Sequence, residues 1–245
     1  MFTGDPRGQE RPALGQFGEV DGSALNLARI GELKSMALTI DQLRNGINYW
    51  HKKQPKWDQD FHNDYYEHKL PPVPPNGVFN NEWWDRFYPV LQDWQATRRG
   101  GGRAFLTARA QARFDELGER WASAVAPHLD NDIAGLEWHQ IAAFPLLVAE
   151  IKLLKSPSPV FTAKFCHFLA PRIFPVTDNK ALRNPFLTYE ECFKAARAEW
   201  LGTDVAIQDE LVALLTNEIG APFFGGFPMK CKLIEICMIG RCHRD

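Results

Sequence analysis

Apolar residues in this chain recur three and four positions apart, and no convincing run of strand length alternates apolar with polar. That periodicity confines the chain to helices packed on helices. The densest case is "NNEWWDRFYPVLQDW" over residues 80–94, where Trp84, Phe87, Tyr88, Leu91 and Trp94 fall at i, i+3, i+4, i+7 and i+10. Asn81 is the expected N-cap. Pro89, inside the pattern, is expected to kink the helix.

The other segments read the same way. "SALNLARIGELKSMALTIDQLRNGINYWHKK" predicts two short helices broken around Thr39, and the prolines of "KLPPVPPNGVF" make a rigid connector. After the glycine loop "RRGGGR", the run "AFLTARAQARFDELGERWASAVAPHL" predicts one long helix. "GLEWHQIAAFPLLVAEIKLLK" predicts a helical pair in which Pro145 either kinks or opens the second member. "YEECFKAARAEW" and "TDVAIQDELVALLTNEIG" follow, the latter turning Ile207, Leu211, Leu214 and Leu215 inward and stopping at Gly220. "FPMKCKLIEICMIGRCHRD" supplies the last helix. The expected fold class is all-α, without internal repeats. Residues 1–22, rich in Gly, Pro and charge, are expected to form a flexible tail, and residues 23–245 a single helical region of two lobes.

With 245 residues and 45% hydrophobic content the chain can bury a sizeable core, while a formal charge of −2 and pI near 6.4 give no global sign of a polyanionic partner. Any such partner must be met by local clusters. Arg98, Arg99, Arg103, Arg109 and Arg113 form the strongest, around Gly100–Gly102; Lys230, Lys232, Arg241 and Arg244 form a weaker one. Five cysteines at irregular spacing suit neither a disulfide framework nor a metal motif. A start without an apolar core and the lack of a long apolar run give the expectation of a cytoplasmic protein that neither carries a leader nor crosses a membrane.

The segment "SPVFTAKFCHFLAPRIFPVTDNKALR", residues 158–183, carries the chemistry. Phe161, Phe165, Phe168 and Leu169 share one face of a helix that Ala170-Pro171 must end, with Ala163 off that face. "RIFPV" is then extended, and Asp178 arrives where another helix is expected to open. An aspartate so placed is an ordinary N-cap, a catalytic carboxylate, or both, since a cap fixes the carboxylate's direction. His167 is expected to be a packed histidine.

A helix, a tight turn, a second helix with a small residue near its start, and then "FPV" leading to an aspartate resembles the core of the helix-hairpin-helix DNA glycosylases. "SPVFTA" ends at Ala163 and "FPVTD" at Asp178, and the fifteen residues between them match the family's separation of hairpin and aspartate. The likeness covers residues 146–184, about a sixth of the chain.

The resemblance implies a double-stranded DNA partner, a base flipped from the duplex, and Asp178 stabilising positive charge on the sugar. Phe161 stands where strand-cutting members carry a lysine, which implies a monofunctional enzyme leaving an abasic site. The iron–sulfur cysteines of some members are absent, so no cofactor or metal is expected, nor any obligatory protein partner. The anti-phage branch of the family implies modified phage DNA, with glucosylated hydroxymethylcytosine as the base.

The turn "KSPSP" lacks the family's glycines, which moves phosphate anchoring to Ser158, Lys155 or Lys164, with Arg98, Arg99 and Arg103 of the glycine loop as a clamp. Candidates for the base pocket are Trp83 or Trp84, which are not expected to both face inward from one helix, together with Trp138, His139 and Asn179. The alternative readings are a non-catalytic helix-hairpin-helix DNA-binding or damage-sensing module, favoured by the altered turn, and a helical protein-interaction domain.

Overall fold

The computed structural model describes residues 37–53, 77–97, 102–152, 159–178, 180–183, 186–219 and 226–243, and no strand occurs among them. The expected tail over residues 1–22 and the first expected helix, up to residue 36, lie outside the described residues, as does most of the proline connector. Ser35–Asp245 is one compact unit.

Thr39 stands at the start of the second expected helix. Its Oγ1 accepts from Gln42 N and Gln42 Oε1 accepts from Thr39 N, each at 3.2 Å, so α1 (Ile40–Lys53) starts with two otherwise orphaned donors satisfied. Helix α2 (Asn81–Asp93) is capped by Asn80, whose Oδ1 accepts from Trp83 N at 2.9 Å, one residue before the expected Asn81. It continues through Pro89. The proline ring and the Asp85 residue it crowds are both exposed, so water can serve the carbonyl deprived of its donor.

The expectation that only one of Trp83 and Trp84 faces inward is corrected: both are buried, at 2% and 1% exposure. Trp83 stacks on Phe87 and meets Phe165 edge-on, while Trp84 donates from Nε1 to Thr107 Oγ1 at 2.9 Å. Helix α2 can bury both because α3 (Arg103–Gln111), which carries Thr107, covers its second flank. Both rings are enclosed in the core, with neither exposed to solvent.

The expected long helix is two, α3 and α4 (Phe114–Ala124). Arg113 leaves the helical region at φ −123° and ψ 8°, held by ion pairs to Glu116 and Glu150. Helix α5 (Trp138–Ile141) opens with a Glu137–Gln140 capping box. In α6 (Ala143–Ile151) Pro145 falls in the first turn, where its missing N–H has no intrahelical acceptor to lose.

Helix α7 (Pro159–Leu169) lies inside the compact unit. Every described position from Phe161 to Leu169 is buried, including Thr162, Lys164 and His167, so it has no solvent face where one aromatic face was expected. Helix α8 (Tyr189–Leu201) begins with a Thr188–Glu191 capping box. Helix α9 (Val205–Ile219) turns Leu211 and Leu215 inward, with Ile207 and Leu214 partly covered.

Helix α10 (Met229–Cys242) is buried continuously from Cys231 to Gly240. This corrects the second basic cluster. Lys232 is buried and pairs with Glu235 at 2.7 Å, Lys230 is tied to Asp132 at 2.5 Å, and Arg241 grips the buried Glu199 through two bonds of 2.8 and 2.9 Å. These charges are committed within the fold; Arg244 lies outside the described residues. Helices α1 and α10 pack backbone to backbone, because Gly46 and Gly240 face each other with no room for a side chain.

Candidate active site

Ala170 ends α7 ahead of Pro171, and its carbonyl takes Phe174 N at 3.0 Å. The chain beyond is held from several sides: Arg172 O accepts from Ile133 N at 3.0 Å and from the Cys231 thiol at 3.3 Å, Phe174 O meets His167 Nδ1 at 2.6 Å, and Pro175 O accepts from Tyr189 Oη at 2.9 Å. Helices α7, α8 and α10 thus fix the "RIFPV" segment. The polypeptide reaches Asp178 with little freedom left.

Asp178 emerges from this buried run with its side chain 32% exposed. Its Oδ1 accepts from Lys180 N at 2.9 Å and Ala181 N at 3.1 Å, and its carbonyl accepts from Leu182 N at 2.9 Å. The expected helix does not open here. Residues 180–183 make a single turn, and Arg183 leaves it in the left-handed region at φ 57°, two residues before Pro185. The next helix is α8. Asp178 therefore has capping geometry without a helix dipole behind it.

Its other oxygen, Oδ2, lies 3.8 Å from Lys164 Nζ. Lys164 is buried on α7, donates to Trp94 O at 2.5 Å, and has its pKa pushed down by burial, an effect that the Asp178 charge opposes. The C-terminal end of α2 attracts a second ammonium, since Lys152 Nζ donates to Ala96 O at 2.5 Å. Lys232 stands 5.7 Å from the Trp94 ring. His167 is wholly buried; burial, aided by the Lys232 charge, lowers its pKa to about 3, so it is neutral at physiological pH.

On the solvent side, His243 follows the end of α10 and its Nε2 lies 2.8 Å from Ala181 O. Its ring stacks on Tyr49 of α1 at 3.9 Å and 22°. The Tyr49 pKa is raised by burial first and by the Asp178 charge second. Around one short turn, then, Lys164 faces the Asp178 carboxylate, His243 meets the Ala181 carbonyl, and Tyr49 stacks on His243.

Of the residues singled out from the sequence, the structure brings Asp178 and Lys164 together, and sets the Lys164 ammonium inside at the carboxylate, away from an outer surface. Trp138 is buried against Phe193 and Tyr189, at 5.5 and 6.1 Å between ring centres, beneath the extended segment that Tyr189 anchors. His139 is exposed on α5. Arg103 starts α3, 3.6 Å from Asp85 and with its guanidinium 5.2 Å from the Tyr88 ring centre. Ser158, Lys155, Arg98, Arg99 and Asn179 lie outside the described residues.

Tyr49, His243 and the Trp94 carbonyl were not expected at this site. The two glycines three residues before Tyr49 and His243 were the available signal for the first two. Among the described residues no helix is long and apolar enough to cross a membrane, and no three His, Cys, Asp or Glu side chains are grouped to hold a metal. In comparisons with known proteins, no family model, no curated protein and no solved structure matches the chain.

Proposed function

We propose that the chain is a monofunctional DNA glycosylase of the helix-hairpin-helix type, acting on double-stranded DNA and leaving an abasic site. The supporting observation is the setting of Asp178: a partly exposed carboxylate at the end of a buried helix and a pinned extended segment, with one oxygen aimed by two backbone N–H groups. Breaking an N-glycosidic bond develops positive charge on the sugar. A carboxylate that is fixed before the reaction stabilises that charge without reorganising, and orients a water toward the anomeric carbon. Glucosylated hydroxymethylcytosine of phage DNA is the proposed base, on the resemblance of the "FTAKFCHFLAPRIFPVTD" segment to anti-phage members of the family.

A second reading, a non-catalytic DNA-binding module, is favoured by one observation: both carboxylate oxygens already have partners, Oδ1 on the turn and Oδ2 near Lys164. Asp178→Asn separates the two, because it keeps the side chain's shape and an oxygen for the turn. The expected result is a folded protein that still binds DNA and forms abasic sites in modified phage DNA about a hundredfold more slowly, as when an electrostatic stabiliser is removed. An Asn variant that excises at the wild-type rate removes Asp178 from the chemistry. A wild-type protein that binds these DNAs without releasing a base from any of them establishes the module.

A further inference from the structure

The crossing of α1 and α10 does more than fill the core. A Cβ on Gly240 would lie 2.6 Å from Gly46 N and against Gln42 O, and one on Gly46 would lie 2.7 Å from Ile236 Cγ2. Three residues past each glycine, about one helical turn on, come Tyr49 and His243, and the close approach of the backbones lets their rings stack. From there His243 reaches Ala181 O, and the Cys242 thiol lies 3.6 Å from Leu182 O. The end of α10 thus holds the carbonyls of the turn whose N–H groups hold Asp178. Tyr49, half-buried, stands behind His243 and within the field of the carboxylate.

We propose that Tyr49 belongs to the Asp178 site as a hydrogen-bond donor to the group the carboxylate acts upon, with His243 as its positioning residue. In the glycosylase reading, on which the identity of that group rests, it is the departing base. As the bond from the anomeric carbon to nitrogen breaks, its electron pair leaves with the base. Water adds to the carbon, and its proton passes by way of Asp178 to the base. The Tyr49 hydroxyl hydrogen-bonds the base while it is negatively charged and keeps its own proton. Burial and the neighbouring carboxylate both favour the neutral phenol, so Tyr49 is a donor at neutral pH.

Two measurements test this. Tyr49→Phe keeps the ring on His243 and removes the hydroxyl; turnover of modified DNA should fall on the order of a hundredfold, as for loss of one donor to developing charge, with DNA affinity and melting temperature unchanged. His243→Ala should lower kcat and leave KM unchanged, and His243→Gln, which can still donate to Ala181 O, should restore part of it. The second measurement needs no activity. With tyrosines labelled at the ring ζ carbon and the Tyr49 signal assigned by Tyr49→Phe, its titration should move to lower pH in Asp178→Asn.

An unmoved titration overturns the proposal even in an active glycosylase, and so does full activity in Tyr49→Phe. A shifted titration in a chain that releases no base from any DNA supports the shared Tyr49–Asp178 site and overturns the glycosylase reading instead.

Discussion

Replacing Gly240 with Ala tests whether the α1–α10 crossing sets the geometry of the site. In an exposed helix the change would stabilise by about 1 kcal/mol, because alanine loses less backbone freedom than glycine. Here the added methyl meets backbone: Gly46 N at 2.6 Å, Gln42 C at 2.8 Å, and Gln42 O. No flexible side-chain end can rotate away, so the helices themselves must part. Overpacking costs typically 1–3 kcal/mol where side chains can yield, and a backbone collision belongs at roughly 3 kcal/mol or above.

The steric term therefore exceeds the propensity gain. The net loss is about 2 kcal/mol, or a melting temperature lower by about 4–8 °C for a domain of this size. Thermal unfolding followed by circular dichroism, repeated with urea, measures it. Gly135→Ala is the control, since its added Cβ would meet nothing nearer than Asn131 Oδ1 at 3.6 Å. A Gly240→Ala variant that melts at or above the wild-type temperature refutes the backbone crossing as the reason Tyr49 and His243 meet.

His167 makes stability pH-dependent: its folded pKa, about 3, lies below the unfolded value near 6.5, so its contribution is complete above that unfolded value and is lost as pH falls toward 3. Denaturant unfolding between neutral pH and pH ~4 should show a slope approaching 1.4 kcal/mol per pH unit from this group, and His167→Gln should flatten it. In the proposed glycosylase reading, borohydride should trap no adduct with abasic DNA, because the buried Phe161 stands where the strand-cutting enzymes that the segment resembles carry a lysine; an adduct abolished by Lys164→Gln would make the Lys164 amine a nucleophile. Changing Arg98, Arg99 and Arg103 to Ala should weaken binding to all DNA sequences alike and reduce the salt slope by about 0.9 for each phosphate no longer neutralised. Unchanged affinity and slope would leave that loop as solvated surface.

Helix existence was legible because each apolar stripe needs only local spacing. Leu211 and Leu215, or Phe161 and Phe165, lie on one face whatever packs against them. Boundaries were less so: Asn80 and Asn81 are equally good caps on composition, and only the side-chain bond to Trp83 N selects one. How many faces of a helix are covered depends on neighbours distant in sequence. Thr107 and α3 bury Trp84 from the far side, and α10 hides Lys232 that its sequence offers as surface charge. At the candidate site, Asp178 was legible from its position after "FPV", since proline and the helix end constrain it locally. Its partners Lys164, Tyr49 and His243 sit 14, 129 and 65 residues away. Their approach is decided by two glycines and by the carbonyls at the end of α2, which no local pattern connects to the aspartate.

Because α1 is completed by α10, the earliest described helix must wait for the latest one. During synthesis the Gly46 face of α1 meets its Gly240 counterpart only after nearly two hundred further residues have been made, so this contact is among the last that the nascent chain can form. The same ordering withholds His243 from the Asp178 turn until that helix docks. A product that stops short of α10 lacks the clamp, and Tyr49 and His243 meet beside the Asp178 turn only in a chain that has been read through that helix.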